Sequence, residues 1–182
     1  MAFLAGCSGL KTISFKGLIH PSFERSRSHH AHCRSSNITT LPSSFLRGNT
    51  TLESIDLTGL EKFRHIPSVF LGGCSGLTTI DLTPLHLVTE IPLGLLHKCT
   101  NLTSIIFPQH CEFSRIPPMF LFGCKKLETV DLASFRRVPV KCPADFLVGC
   151  TALARIDNPP PFTAPAPAGW ACGGGSDSTA RF

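Results

Sequence analysis

Nine cysteines and eight histidines give this chain its widest chemical repertoire, and their spacing decides what they can do. A thiolate is a nucleophile and a metal ligand; an imidazole is a base and a metal ligand. The densest group is His29-His30-Ala31-His32-Cys33, whose donor atoms suit zinc. Ligands this close in sequence cannot all converge on one tetrahedral ion without strain. No second cluster follows at zinc-finger spacing, so no metal or other cofactor is assigned. The plainer reading is a polar, low-complexity insertion, and a metal-binding module is its alternative. A Cys/His nucleophile–base pair has the right residue types but no supporting spacing. The P-loop, GxSxG, HExxH and GxGxxG patterns do not occur. The expectation is a chain without catalytic residues.

Five of the cysteines do follow a rule. Cys7, Cys74, Cys99, Cys124 and Cys150 share one position in a recurring pattern, Phe-Leu-x-Gly-Cys-x-x-Leu-x-x-Ile-x-Leu. Copies begin at Phe3, Phe45, Phe70, Leu95, Phe120 and Phe146. Their aligned leucines are Leu10, Leu52, Leu77, Leu102, Leu127 and Leu153, spaced by 42, 25, 25, 25 and 26 residues. The reading for the repeated cysteines is a small buried hydrophobe. Cys33, Cys111, Cys142 and Cys172 fall outside this register. An odd total without a fixed framework argues against a disulfide-stapled domain and leaves the redox compartment open. Leu4-Ala5-Gly6-Cys7 has the form of a lipidation box, but the repeat accounts for it.

A period near 25 lies in the leucine-rich-repeat range. Leu77-x-x-Ile80-x-Leu82 reads as a strand segment, with Ile80 and Leu82 on one side and Thr79 and Asp81 on the other. A turn follows, at Thr58-Gly59 or Thr83-Pro84. A second extended piece ends in Ile-Pro at Ile66-Pro67, Ile91-Pro92 and Ile116-Pro117. Proline suits the first turn of a helix, so a short helix is expected from there to the Phe-Leu pair, ended by Gly73, Gly123 or Gly149. One such unit cannot bury its apolar side, but stacked units can. Phe70, Leu95, Phe120 and Phe146 are expected to form one interior column.

The pattern resembles the BspA-like, or treponemal-type, leucine-rich repeats of bacterial and protist surface proteins. Those carry an aromatic residue, a cysteine at the end of the short helix, and then L-x-x-I-x-L. The resemblance covers residues 1–19 and 38–157. It implies an α/β solenoid of about six repeats, a parallel sheet on one face and short helices or turns on the other. It also implies a cell-surface or adhesion setting, although no signal peptide is visible in this chain. Leu60, Leu85, His110 and Phe135 fill the ladder position of the general motif, so no asparagine ladder is expected. Asn49 replaces the cysteine of the second copy, and Lys98 the glycine of the fourth.

The organisation expected is a truncated first repeat at 1–19, a His/Ser/Arg-rich insertion loop at 20–37, repeats over 38–157 and a disordered Pro/Ala/Gly-rich tail at 158–182. The charge of +5 is scattered and does not indicate nucleic acid. No apolar run is long enough to span a membrane. Three Asn-x-Ser/Thr sequons occur, at Asn37, Asn49 and Asn101; only Asn37 reads as a credible glycan site, and only in a secreted protein.

The candidate binding surface is the outer side of the strands. One column reads Thr12, Ser54, Thr79, Ser104, Thr129 and Arg155. The next reads Ser14, Asp56, Asp81, Ile106, Asp131 and Asp157. Stacked strands would set Asp56 beside Asp81 and Asp131 beside Asp157. Such neighbours repel and raise each other's pKa unless a donor or cation intervenes. The bland reading is a soluble consensus for an exposed face. The functional one is a hydroxyl-and-carboxylate strip, with Ile106 as its apolar centre, that engages a protein or glycan ligand. An intracellular scaffold for protein–protein interaction is the alternative setting.

Overall fold

A computed structural model describes residues 4–7, 9–16, 41–109, 111, 113–135 and 141–161. The insertion at 20–37 and all but the first residues of the expected tail lie outside the described residues. Six three-residue strands recur, one per repeat: β1 Thr12–Ser14, β2 Ser54–Asp56, β3 Thr79–Asp81, β4 Ser104–Ile106, β5 Thr129–Asp131 and β6 Arg155–Asp157. They pair in parallel, as β1 with β2, β3 with β4, and β5 with β6. Between the pairs the strands remain neighbours, and Glu128 N–H reaches the Thr103 carbonyl at 3.5 Å.

The middle residue of each strand points inward and its flanks point out. Ile80 is 2% exposed, while Thr79 and Asp81 on either side are exposed. The repeat-position leucines Leu52, Leu77, Leu102 and Leu127 are fully buried. Phe70, Leu95, Phe120 and Phe146 line the interior, each at most 2% exposed. Phe45 stacks on Phe70 with ring centroids 6.2 Å apart, and Phe120 on Phe146 at 6.0 Å. Phe107, on the other side of rung four, meets Phe113, Phe120 and Phe135 edge-on.

The short helix expected before each strand is replaced by a ribbon of turns. In rung three, N–H groups of Phe70, Gly72 and Cys74 bond to the carbonyls of Pro67, Val69 and Leu71, three residues back each time. Val69, Leu71 and Gly73 hold positive φ of 59°, 59° and 77°. A positive φ at the third residue of every turn is the type II arrangement. The intervening N–H groups leave the rung. Val69 N–H donates to the Leu93 carbonyl at 2.8 Å, and Gly73 N–H to His97 at 2.7 Å. A helix would close these groups on itself and leave rungs joined only by side chains. The ribbon satisfies them by tying each rung to the next. The glycines expected as helix stops are therefore third residues of turns. The only regular helical turns among the described residues are two 3₁₀ segments after strands, Thr83–Leu85 and Ala133–Phe135.

Gly48, Gly73, Gly123 and Gly149 share the ribbon's last positive-φ position, and rung four holds Lys98 there at φ 57°. A side chain in this region costs about 1–2 kcal/mol, partly offset by the unfolded-state entropy that glycine adds. Lys98→Gly should therefore raise stability by about 1 kcal/mol. Gly123→Ala should lower it by a similar amount. Urea denaturation of both variants checks the pair, and a destabilised Lys98→Gly would contradict the ribbon geometry.

Candidate functional site

All ten candidate residues lie on the outward side of β2–β6. Ser54, Asp56, Thr79, Asp81, Ser104, Ile106, Thr129, Asp131 and Arg155 are exposed, and Asp157 is half-buried. Pairing sets Thr79 beside Ser104 and Asp81 beside Ile106 on β3–β4. It sets Thr129 beside Arg155 and Asp131 beside Asp157 on β5–β6. Asp56 is in register with Ser14 on β1–β2, and β2 also neighbours β3. Ile106 is 56% exposed, more than any other large apolar side chain described.

The aspartates have a local task that composition alone does not show. Asp56 Oδ1 accepts the N–H of Thr58 at 2.9 Å, Asp81 Oδ1 that of Thr83 at 2.8 Å, and Asp131 Oδ1 that of Ala133 at 2.9 Å. Ser14 Oγ does the same for Lys16 at 3.1 Å. Each starts the turn that leaves its strand, a side-chain bond to the backbone two residues on. Ile106 and Asp157 are the exceptions. Two residues beyond them stand Pro108 and Pro159, which have no N–H to cap.

At Asp56 donors do intervene, the condition under which the elevation is not expected. The Thr58 hydroxyl, the Thr58 N–H and the Ser14 hydroxyl hold Asp56 below its ordinary value. Asp131 also accepts Asn158 Nδ2 at 2.9 Å. Its neighbour Asp157 pairs with Arg155, Nε to Oδ1 2.9 Å. That exposed pair contributes little stability but removes the bare repulsion.

Behind the strands runs a ladder of thiol donors, at a different repeat position from the asparagine ladder considered above. Cys74 Sγ–H donates to the Leu46 carbonyl at 3.1 Å, one rung back. Cys99 donates to Leu71 at 3.2 Å, Cys124 to Leu96 at 3.2 Å and Cys150 to Leu121 at 3.1 Å. In rung two Asn49 takes this position, with Nδ2 donating to Leu4 at 2.7 Å and to Leu46 at 2.9 Å. Cys74, Cys99 and Cys124 are buried, as expected, Cys7 and Cys150 are only half-buried, and the last four rungs' cysteines are also donors. A second column follows the strands, where Cys111 Sγ–H donates to His86 at 2.9 Å and Ser134 Oγ–H to Pro108 at 2.7 Å. Thr51, Asn101 and Thr103 tie rungs in the same way, to Leu10, Ser75 and Thr78. All cysteines described are free thiols.

Among the described residues no group of three or more His, Cys, Asp or Glu could hold a metal ion, and no helix is long and apolar enough to cross a membrane. The stretch 29–33 lies outside the described residues. The family model for the BspA type leucine rich repeat region matches residues 22–142 in six copies. A search of curated proteins found no match.

Burial raises the ladder thiols, Cys74 and Cys150 to about 11 and Cys124 to about 12, from an ordinary 9.0. Below pH 9 both folded and unfolded chains keep these protons. Between about pH 9 and 11 the unfolded chain loses them and the folded chain does not, so stability falls as pH rises. The slope is about 1.4 kcal/mol per pH unit for each thiol. The denaturation midpoint should be level at neutral pH and drop through this window. Cys124→Ala should lose one thiol's share of that slope, and an unchanged slope would contradict the shift. Alkylation of Cys74 and Cys99 at pH 8 should be slow until denaturant is added.

Proposed function

We propose that this chain, which belongs to the BspA-type leucine-rich-repeat family, is a non-catalytic scaffold that binds a protein or glycan through the outer face of its strands. The family makes it a repeat scaffold; the face and the ligand are our reading. Ile106 carries that reading. It stands on β4 in the middle of the face, over half exposed, in the one inner position of its column that holds no polar group. Pro108 relieves that position of turn capping, and an apolar side chain exposed at the centre of a polar face suits contact with a partner. Hydroxyls of Thr79, Ser104 and Thr129 flank it at strand spacing. The capped carboxylates of Asp81 and Asp131 stand on the strands either side, held in one orientation by the turns they start. A solenoid face of this kind recognises its ligand by many side chains at fixed intervals.

A partner complementary to the patch presents an apolar group flanked by hydroxyls or positive charge. The surface or adhesion setting is supported by the family resemblance. The intracellular setting is supported by the thiol ladder, whose donors act only in the reduced form. Ile106→Asp should weaken binding of a partner recovered with the wild-type chain by tenfold or more, about 1.4 kcal/mol. Asp81→Asn keeps the oxygen that caps Thr83 and removes the charge, so its smaller loss reads electrostatics without disturbing the turn. Lys125→Ala and Lys126→Ala, off the face, should bind normally. Full affinity of Ile106→Asp with loss in the lysine variants would move the site elsewhere. Binding is measured by titration calorimetry, with urea midpoints confirming that each variant is folded.

A further inference from the structure

Asn49-Thr50-Thr51 is an N-glycosylation sequon, and its asparagine is fully buried. Both Nδ2 protons are engaged, one on the Leu4 carbonyl of rung one and one on the Leu46 carbonyl of its own rung. Its Oδ1 is buried with no partner. Thr51, the hydroxyl a glycosyltransferase reads, is occupied as well. Its Oγ accepts Gly9 N–H at 3.1 Å and donates to the Leu10 carbonyl at 3.0 Å. Three of the four side-chain bonds that would have to open for the sequon to be read join rung one to rung two, and the fourth closes rung two on itself.

We infer that Asn49 is a glycan acceptor only in the unfolded chain, and that its glycosylation and the docking of rung one exclude each other. In the transfer, Nδ2 forms a bond to C1 of the sugar. The C1–oxygen bond to the diphosphate carrier breaks, the diphosphate leaves, and one Nδ2 proton goes to a base. A single N–H then remains for two carbonyls, so the bond to Leu4 of rung one or the bond to Leu46 is lost. The sugar also needs volume where the side chain has no solvent contact. Asn101 differs in both respects. It is half-buried, and its described bond is a single one, to Ser75 at 2.7 Å. A cell that glycosylates nascent chains thus meets at Asn49 a competition between sugar transfer and folding. The donor consumed is a sugar activated by a nucleotide or lipid diphosphate.

The test uses the full chain, in-vitro translation, a soluble asparagine glucosyltransferase and UDP-glucose. The enzyme is added either during synthesis or after folding. Occupancy at Asn49 is read by peptide mass spectrometry, and rung integrity by alkylation of Cys74, whose thiol donates to the same Leu46 carbonyl. Asn49 should be glucosylated during synthesis and roughly a hundredfold more slowly after folding, since access then requires local opening. Glucosylated molecules should alkylate rapidly at Cys74. Asn49→Cys restores the residue found in the other copies, lacks the sequon, and should stay protected under both regimes. Equal transfer before and after folding overturns the inference. So does slow alkylation in glucosylated chain, or no transfer to Asn49 at either stage.

Discussion

An inward-facing leucine carbonyl in every rung is the constraint around which this structure is arranged. The ribbon of turns holds Leu46, Leu71, Leu96 and Leu121 at positive φ. That conformation aims their carbonyls into the stack, where water cannot reach them. A buried carbonyl without a donor costs free energy comparable to a lost hydrogen bond. Two donors arrive at each from defined places. The Leu71 carbonyl takes the Cys74 N–H of its own rung at 3.3 Å and the Cys99 thiol of the next at 3.2 Å. Cysteine suits the task because it is small and apolar enough to pack in the core yet carries one proton to give. Asn49 shows the contrast: it reaches two carbonyls instead of one, and leaves its own oxygen buried and unsatisfied.

The same accounting explains which side of the solenoid is free to vary. On the ribbon side, alternate N–H groups are tied to the next rung, and the positions between are held by glycine or by side chains in a left-handed conformation. Such a surface has little freedom to vary without losing rung contacts. On the strand side, the residues flanking each buried centre point outward, and the backbone bonds between strands do not involve their side chains. Variation there is cheap except at one column, where Asp56, Asp81 and Asp131 start turns.

The period, the strands, the inward leucines and the phenylalanine column were legible because each follows from spacing alone. Every copy repeats the same alternation around Ile80 or its equivalent, and stacking requires a common register. The ribbon was not legible. Pro-x-x-Phe-Leu-x-Gly-Cys fits the start and stop chemistry of a helix, and nothing in the residue types reveals that Val69 and Leu71 adopt positive φ, since both residues disfavour it. The cysteine ladder was hidden for a related reason. Its acceptors are backbone carbonyls whose direction depends on the ribbon, so a reading that expected a helix saw only a small buried residue. The ten candidate residues were legible as an exposed face, because period two fixes the side. Their individual roles needed the turn bonds.

One signal for those roles does lie in the sequence. In the column Ser14, Asp56, Asp81, Ile106, Asp131 and Asp157, the residue two positions on is Lys16, Thr58, Thr83, Pro108, Ala133 and Pro159. A capping oxygen is useful only where an N–H exists to accept it from. The four positions followed by an N–H all carry a capping side chain, and each makes that bond. The two followed by proline are free of it. One of them, Asp157, turns its carboxylate to Arg155 on its own strand. The other, Ile106, has no polar group to turn to its neighbours and stands over half exposed. Local structure therefore accounts for four of the six residues, and an ion pair for a fifth. What distinguishes Ile106 is that neither a turn bond nor an ion pair accounts for it, which is the condition under which a partner can set a residue's identity.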